Sequence, residues 1–315
     1  MCIRDRQELA HQLYRSVFER IPNLADFVEI FPAHGAGSLC GKAIGSRSSS
    51  TLGFERRFSP SLQHRPEEQW VAALLRGMPV APPYFRRMKQ VNAEGPPVIG
   101  PELPGRRGFS AREVHERACA DCLILDVRDK EAFAAAHIPG AINIAYGPNL
   151  PTWAGWVLPY DRPILAVVDD PQQMTEIARC LLRIGFDRIE GFLEGGIDAW
   201  EGLGYQLEGL EAISVHELAR RLEGPERPHV LDVRTEQEWQ TGHIAGAQHI
   251  HGGLLQERIG EVPSDRPVAV VCGSGYRASI AASFLKREGH LEVSNVIGGM
   301  TAWQAADLPT RREEE

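Results

Sequence analysis

Two stretches decide the fold: LILDVRDKEAFAAAHIPGAINI, residues 123–144, and HVLDVRTEQEWQTGHIAGAQHI, residues 229–250. They align without a gap, so that Asp126 matches Asp232 and His137 matches His243. Further on, DRPILAVVDDPQQMTEIARCLLRIG from Asp161 aligns with DRPVAVVCGSGYRASIAASFLKREG from Asp265, and GGIDAW from Gly195 with GGMTAW from Gly298. A unit that recurs in this way is one domain present twice. Each copy alternates short apolar runs with longer amphipathic ones. In the second copy Val230 to Val233 reads as extended, Glu236 to Gly242 as helical and Pro267 to Val271 as extended again. That alternation predicts an α/β fold, a parallel sheet flanked by helices, in each copy.

The remaining composition narrows the function class. The chain has 315 residues, 43% hydrophobic and 24% charged, with a formal charge of −8, which argues against a nucleic-acid role. No apolar stretch approaches the roughly 18 residues a membrane span needs, and the N-terminus lacks a signal-peptide pattern, so a cytoplasmic location without membrane contact is expected. The six cysteines (Cys2, Cys40, Cys119, Cys122, Cys180, Cys272) are scattered, as in a reducing compartment. Cys119 and Cys122 have the spacing of a zinc or redox pair, but no second pair follows, and a structural role is expected.

Cys272 stands apart. It follows the apolar run Val268 to Val271 and precedes a helix whose inner face carries Ile280, Ala281, Phe284 and Leu285, with Gly289 as a stop. Carboxyl ends of parallel strands are where such sheets bind ligands. Gly273 and Gly275 permit backbone turns that aim successive N–H groups at one point above the sulfur. The helix start adds the positive end of its dipole, which favours a thiolate, and Arg277 adds a fixed charge. Cys272 is therefore the candidate nucleophile, and Gly273, Ser274, Gly275, Tyr276 and Arg277 form the candidate substrate-binding cradle.

In this order, LDVRTEQEWQTGHIAGAQHI, CGSGYR and GGMTAW resemble a rhodanese domain, a sulfurtransferase, over residues 211–309. The resemblance implies that Cys272 takes the sulfane sulfur of thiosulfate, glutathione persulfide or coenzyme A persulfide, holds it as a cysteine persulfide and passes it to a thiophilic acceptor. No metal or organic cofactor is implied. A cysteine phosphatase or arsenate reductase has five residues between its cysteine and arginine; here four intervene, which makes a smaller pocket suited to one sulfur atom.

The first copy, residues 106–207, has lost these groups. Val168 stands in the place of Cys272 and Gln173 in that of Arg277, while Asp169 and Asp170 put negative charge at the helix entrance. Cys180 takes the place of Phe284 and is expected to pack inward. This copy resembles the inactive rhodanese domains of tandem proteins, and a scaffold or docking role is expected. Among residues shared by the repeats, Asp232, Arg234 and His243 read as structural. Trp239 and Trp303 read as core, and His249 and His251 as surface or pocket-rim residues.

At the N-terminus Leu9, Leu13, Val17 and Ile21 form an apolar helix face in search of a partner. The extended run ending in Pro-Ala-His-Gly, followed by SSSTLGFERRFSPSLQ, resembles the C-terminal part of a metallo-β-lactamase (αββα) domain of the persulfide dioxygenase and glyoxalase type, here assigned residues 1–100. In that family an upstream histidine-rich motif holds the metal; His34 matches only a last histidine, so Fe(II) is expected only in a full-length dioxygenase domain. The opening MCIRDR resembles translated sequencing adapter, which suggests a fragment. The linker is expected at GPPVIGPELPGRRG, residues 95–108, and the second junction near residues 208–211. The whole resembles a persulfide dioxygenase-rhodanese fusion of sulfide detoxification, here expected to keep only the rhodanese activity. The alternatives are non-enzymatic rhodanese-type binding or sulfur-presenting modules, and a glyoxalase-type metallohydrolase that the missing ligands defeat. A homo-oligomer is compatible with all of them.

Overall fold

The structure, a computed structural model, describes residues 3–34, 47–76, 78, 80–119, 122–225 and 227–312. Cys2, Cys40, residues 35–46 of the N-terminal motif and the side chain of Cys119 lie outside the described residues. The chain divides into two compact units, residues 1–86 and 87–315.

In the first unit strands β1 (Glu29–Ile30) and β2 (Ser50–Thr51) pair antiparallel. The helix Ile3–Arg15 packs on the helix Glu67–Leu75 through Ala10, Trp70 and Val71, joined by Tyr14 and Phe18. The helical face therefore differs from the one expected: Leu9 and Leu13 remain 48% and 46% exposed. The covered stripe lies one residue further on, because the rings of Tyr14 and Phe18 meet Trp70 edge-on at 5.6 and 5.9 Å and bury more apolar surface than the leucines would. Among the described residues no helix is long and apolar enough to cross a membrane.

The second unit contains both repeats as two five-stranded, wholly parallel sheets. The first holds β3 (Arg107–Phe109), β4 (Leu123–Asp126), β5 (Ile142–Asn143), β6 (Ile164–Val167) and β7 (Ile189–Leu193), in the order β3-β7-β6-β4-β5. The second holds β8 (Glu211–Ile213), β9 (His229–Asp232), β10 (Gln248–His249), β11 (Val268–Val271) and β12 (Val293–Val296), in the same spatial order, β8-β12-β11-β9-β10. Strand β11 is central and buried along its whole length, which is why its sequence is an unbroken apolar run rather than an alternation. Trp303 belongs to the core of this sheet and Trp239 is buried beside it, as expected.

Both copies keep an internal ion pair at the end of the second strand. Arg234 donates through Nε and Nη2 to the Asp232 carboxylate at 2.9 and 2.6 Å, and through Nη1 and Nη2 to the carbonyls of Glu238 and Gly242. Arg128 repeats this with Asp126 and the Ala136 carbonyl. The shared histidines are also structural: His243 stacks on Trp239 at 3.6 Å and His137 on Phe133 at 3.8 Å, each Nδ1–H donating to the carbonyl four residues earlier.

The two copies touch through polar groups. Ser279 donates to Asn143 Oδ1 at 2.8 Å, and the Asn143 backbone N–H donates to Ser283 Oγ at 3.1 Å; all three residues are buried. The end of β5 in the first copy thus braces the helix Tyr276–Arg287 of the second. Cys180 is half-buried on the helix Met174–Leu182 rather than packed fully inward.

Removing one partner of a buried pair strands the other charge in the interior, at a cost of about 3–5 kcal/mol. Asp232→Ala is expected to lose stability of that order in urea denaturation, with a lower midpoint and an unchanged slope.

Candidate active site around Cys272

Cys272 is the first residue past β11, and its sulfur faces the loop. The Gly275 N–H donates to Sγ at 3.1 Å, and the Arg277 guanidinium lies against Gly273, the next residue of the loop. The residue is 0% exposed. Gly275 has φ +96°, a left-handed turn that a side chain would strain, and it caps the helix Tyr276–Arg287. The turn aims its N–H back at the sulfur while the helix starts forward.

Gly273 differs from the expectation: only Gly275 takes the left-handed turn. A Cβ on Gly273 would crowd Arg277 Nη2 at 3.0 Å and lie in ordinary contact with Glu238 Oε1 at 3.7 Å. Ser274 sits exposed at the tip of the loop. Tyr276 turns its ring to the first copy, where its hydroxyl donates to the Ala145 carbonyl at 3.2 Å, and burial pushes its pKa up to about 12.

Arg277 is held by Glu238, a residue that the sequence reading did not single out. Nη1 and Nη2 each donate to one carboxylate oxygen at 2.6 Å. Glu238 is the third residue of the short helix Glu236–Gln240, and its Oε2 also accepts from the Thr235 N–H and hydroxyl in a capping box. Burial raises the pKa of this carboxyl, but the bonds from Arg277 and Thr235 override that and hold it at about 2. Glu238 could have been found by comparing the copies, because its place in the first is taken by Ala132.

The Gly298-Gly299 turn, read only as a repeat marker, clamps the loop from the other side. Met300 N–H donates to the Cys272 carbonyl at 2.7 Å and Thr301 N–H to that of Gly273 at 3.0 Å. A Cβ on Gly299 would stand 2.2 Å from the Cys272 carbonyl oxygen. In the first copy the equivalent Gly196 meets only the Val168 carbonyl, at 3.9 Å. There, Val168 is buried, and Asp170 caps the following turn by accepting from the Gln172 N–H.

His249 and His251 line the rim. His249 Nε2–H donates to the Arg234 carbonyl at 2.9 Å. His251 Nδ1 accepts from the Gly253 N–H at 3.2 Å, which leaves the neutral ring's proton on Nε2. Its ring lies against Trp156 and Trp153 of the first copy. Burial, then the charge of Arg277, pushes its pKa from 6.5 down to about 4.

His34 is exposed, and among the described residues no three His, Cys, Asp or Glu side chains are grouped to hold a metal. Burial raises the Cys122 thiol to about 11, which leaves it unreactive.

Comparison with known proteins follows the repeat. The family described as "Rhodanese-like domain" matches residues 110–203 and 214–306, together more than half of the chain. A putative sulfur carrier protein of Bacillus subtilis is 33% identical over 91 residues, 29% of this chain and 49% of its own length. A sulfurtransferase of Allochromatium vinosum is 35% identical over 97 residues, 31% of this chain and 91% of its own. The chain thus spans about half the length of the first relative and nine-tenths of the second. Among solved structures, a metallo-beta-lactamase from Staphylococcus aureus is 33% identical, with a TM-score of 0.48, over 58% of this chain and 49% of that one.

The depressed pKa of His251 has a sign that can be tested. Between 6.5 and about 4 the unfolded imidazole takes up a proton that the folded one refuses, so stability present above 6.5 is lost as pH falls toward 4. Urea midpoints measured across this window should fall with acidity, and His251→Gln should flatten that part of the slope.

Proposed function

Because the chain belongs to the rhodanese-like domain family, with two tandem copies of the domain, we infer that it is a sulfurtransferase whose chemistry resides in the second copy, at Cys272. The observation that carries this reading is the buried Cys272 sulfur held by the Gly275 N–H, in a loop where the Arg277 guanidinium lies against Gly273. A sulfur atom added to Sγ would extend a negative charge among the same donors.

The reaction divides into two displacements. In the first, the Cys272 thiolate attacks the outer sulfur of thiosulfate or of a small persulfide. The sulfur-sulfur bond of the donor breaks, and sulfite or a thiolate leaves with the bonding pair. In the second, an acceptor nucleophile attacks the terminal sulfur of the Cys272 persulfide, and the Cys272 thiolate leaves. A covalent intermediate splits one hard transfer into two easier ones, and backbone donors fixed in place stabilise the charge in both without reorganising. Gly273, Ser274, Gly275 and Arg277 are the donor-binding residues; Tyr276 acts through its backbone, its hydroxyl being committed to the first copy. The sulfurtransferase from Allochromatium vinosum supports the reaction class.

The first copy is a scaffold, since Val168 offers no nucleophile and Gln173 no charge. For residues 1–100 we retain the reading as the C-terminal part of a metallo-β-lactamase-fold domain in a cytoplasmic, sulfide-detoxifying fusion. It is supported by the sequence resemblance around His34, and no oxygen chemistry is assigned to this chain.

Incubation with thiosulfate or glutathione persulfide should increase the intact mass by one sulfur atom, removable by cyanide, with no oxygen consumed. Cys272→Ser should abolish the adduct. Sulfur uptake that persists in this variant, or no uptake from any donor by the wild type, would refute the assignment.

A further inference from the structure

We propose that Glu238 is a positioning residue that sets the charge of the donors the Cys272 site accepts, favouring persulfides, whose reacting sulfur pair carries at most one negative charge, over thiosulfate, which carries two. The proposal rests on the sulfur-transfer reading above and adds substrate selectivity to it. Arg277 is the cation of the Cys272 loop, yet both of its terminal nitrogens are bound by one carboxylate at 2.6 Å. Its positive charge is therefore offset before any donor arrives. Lys130, whose Cε would lie 3.6 Å from a side chain on Gly275, is likewise paired, with Glu131 at 2.7 Å. Both cations beside the loop thus carry carboxylate partners, and a second negative charge on the donor meets no further compensation from them.

The carboxylate is not free to swing aside. Its Oε2 accepts two bonds from Thr235 at 3.0 and 2.8 Å, and the Glu238 carbonyl accepts from Arg234 at 3.1 Å. Moving it would break a helix cap. The repeat separates this role from a general structural one. The first copy keeps the Asp126–Arg128 pair, His137 and the glycine turn, and loses Cys272, Arg277 and Glu238 together, as Val168, Gln173 and Ala132. A residue kept for folding alone would be expected to follow the scaffold set; Glu238 follows the reactive set.

The test compares two donors on the full chain. Formation of the Cys272 persulfide is followed by intact mass over a concentration series of thiosulfate and of 2-mercaptoethanol persulfide, whose only ionisable group is its sulfur, in the wild type, Glu238→Gln and Glu238→Asp. The thiosulfate-to-persulfide ratio of loading efficiencies should rise about tenfold in Glu238→Gln, mainly through a lower half-saturating thiosulfate concentration, because one unit of opposing charge is removed from a partly buried site. Glu238→Asp, which restores the charge, should return the ratio toward the wild type. Taking the ratio on a single preparation cancels any loss of folded protein. An unchanged ratio in Glu238→Gln, or a Glu238→Asp variant that behaves like Glu238→Gln, overturns the proposal while wild-type loading leaves sulfur transfer intact. If the wild type takes up no sulfur from either donor, the sulfur-transfer reading itself falls.

Discussion

A cation removed from water needs a partner, and the second repeat meets that demand as a chain running from its core to its surface loop. Asp232 holds Arg234; Arg234 holds the carbonyl of Glu238; the Glu238 carboxylate holds Arg277; and Arg277 lies against Gly273, the residue after the cysteine. Each link fixes the next. The Cys272 loop is therefore positioned by charge pairing as well as by apolar packing. In the first repeat the chain stops at Arg128, because Ala132 has no carboxylate to pass it on.

This arrangement explains what the two copies share. The strand order, the Asp-Arg pair, the stacked histidine and the paired glycines at the last turn all serve folding, and they survive in both. The first copy contributes something else: its edge strand ends in Asn143, which meets Ser279 and Ser283 on the inner side of the reactive helix. A hydrogen-bonded contact sealed from solvent is directional, so it fixes the rotation of that helix more sharply than apolar packing alone would.

Much of this was legible in the sequence because it is local or periodic. The internal alignment exposed the duplication, the apolar run before Cys272 gave a central strand, and Gly275 marked the turn. What stayed hidden depends on contacts between distant segments. Glu238 lies 39 positions from Arg277, and nothing in its own surroundings shows that its carboxylate points there. The tight approach of Gly299 to the Cys272 carbonyl is invisible until two loops are brought together. Gly273 looked like a left-handed turn residue, yet it takes no positive φ and lies instead against the Arg277 guanidinium. On the N-terminal helix, fourfold spacing favoured the leucines, whereas the aromatic partner Trp70 chose the neighbouring stripe.

The complete enclosure of Cys272 has a consequence of its own. A thiol with no solvent-facing area is sheltered from peroxide and alkylating agents as well as from its donor. It can climb the oxidation ladder only as often as the surrounding loop breathes open. Access for a donor and access for an oxidant are thus one and the same opening, and a change that loosened the loop would widen both.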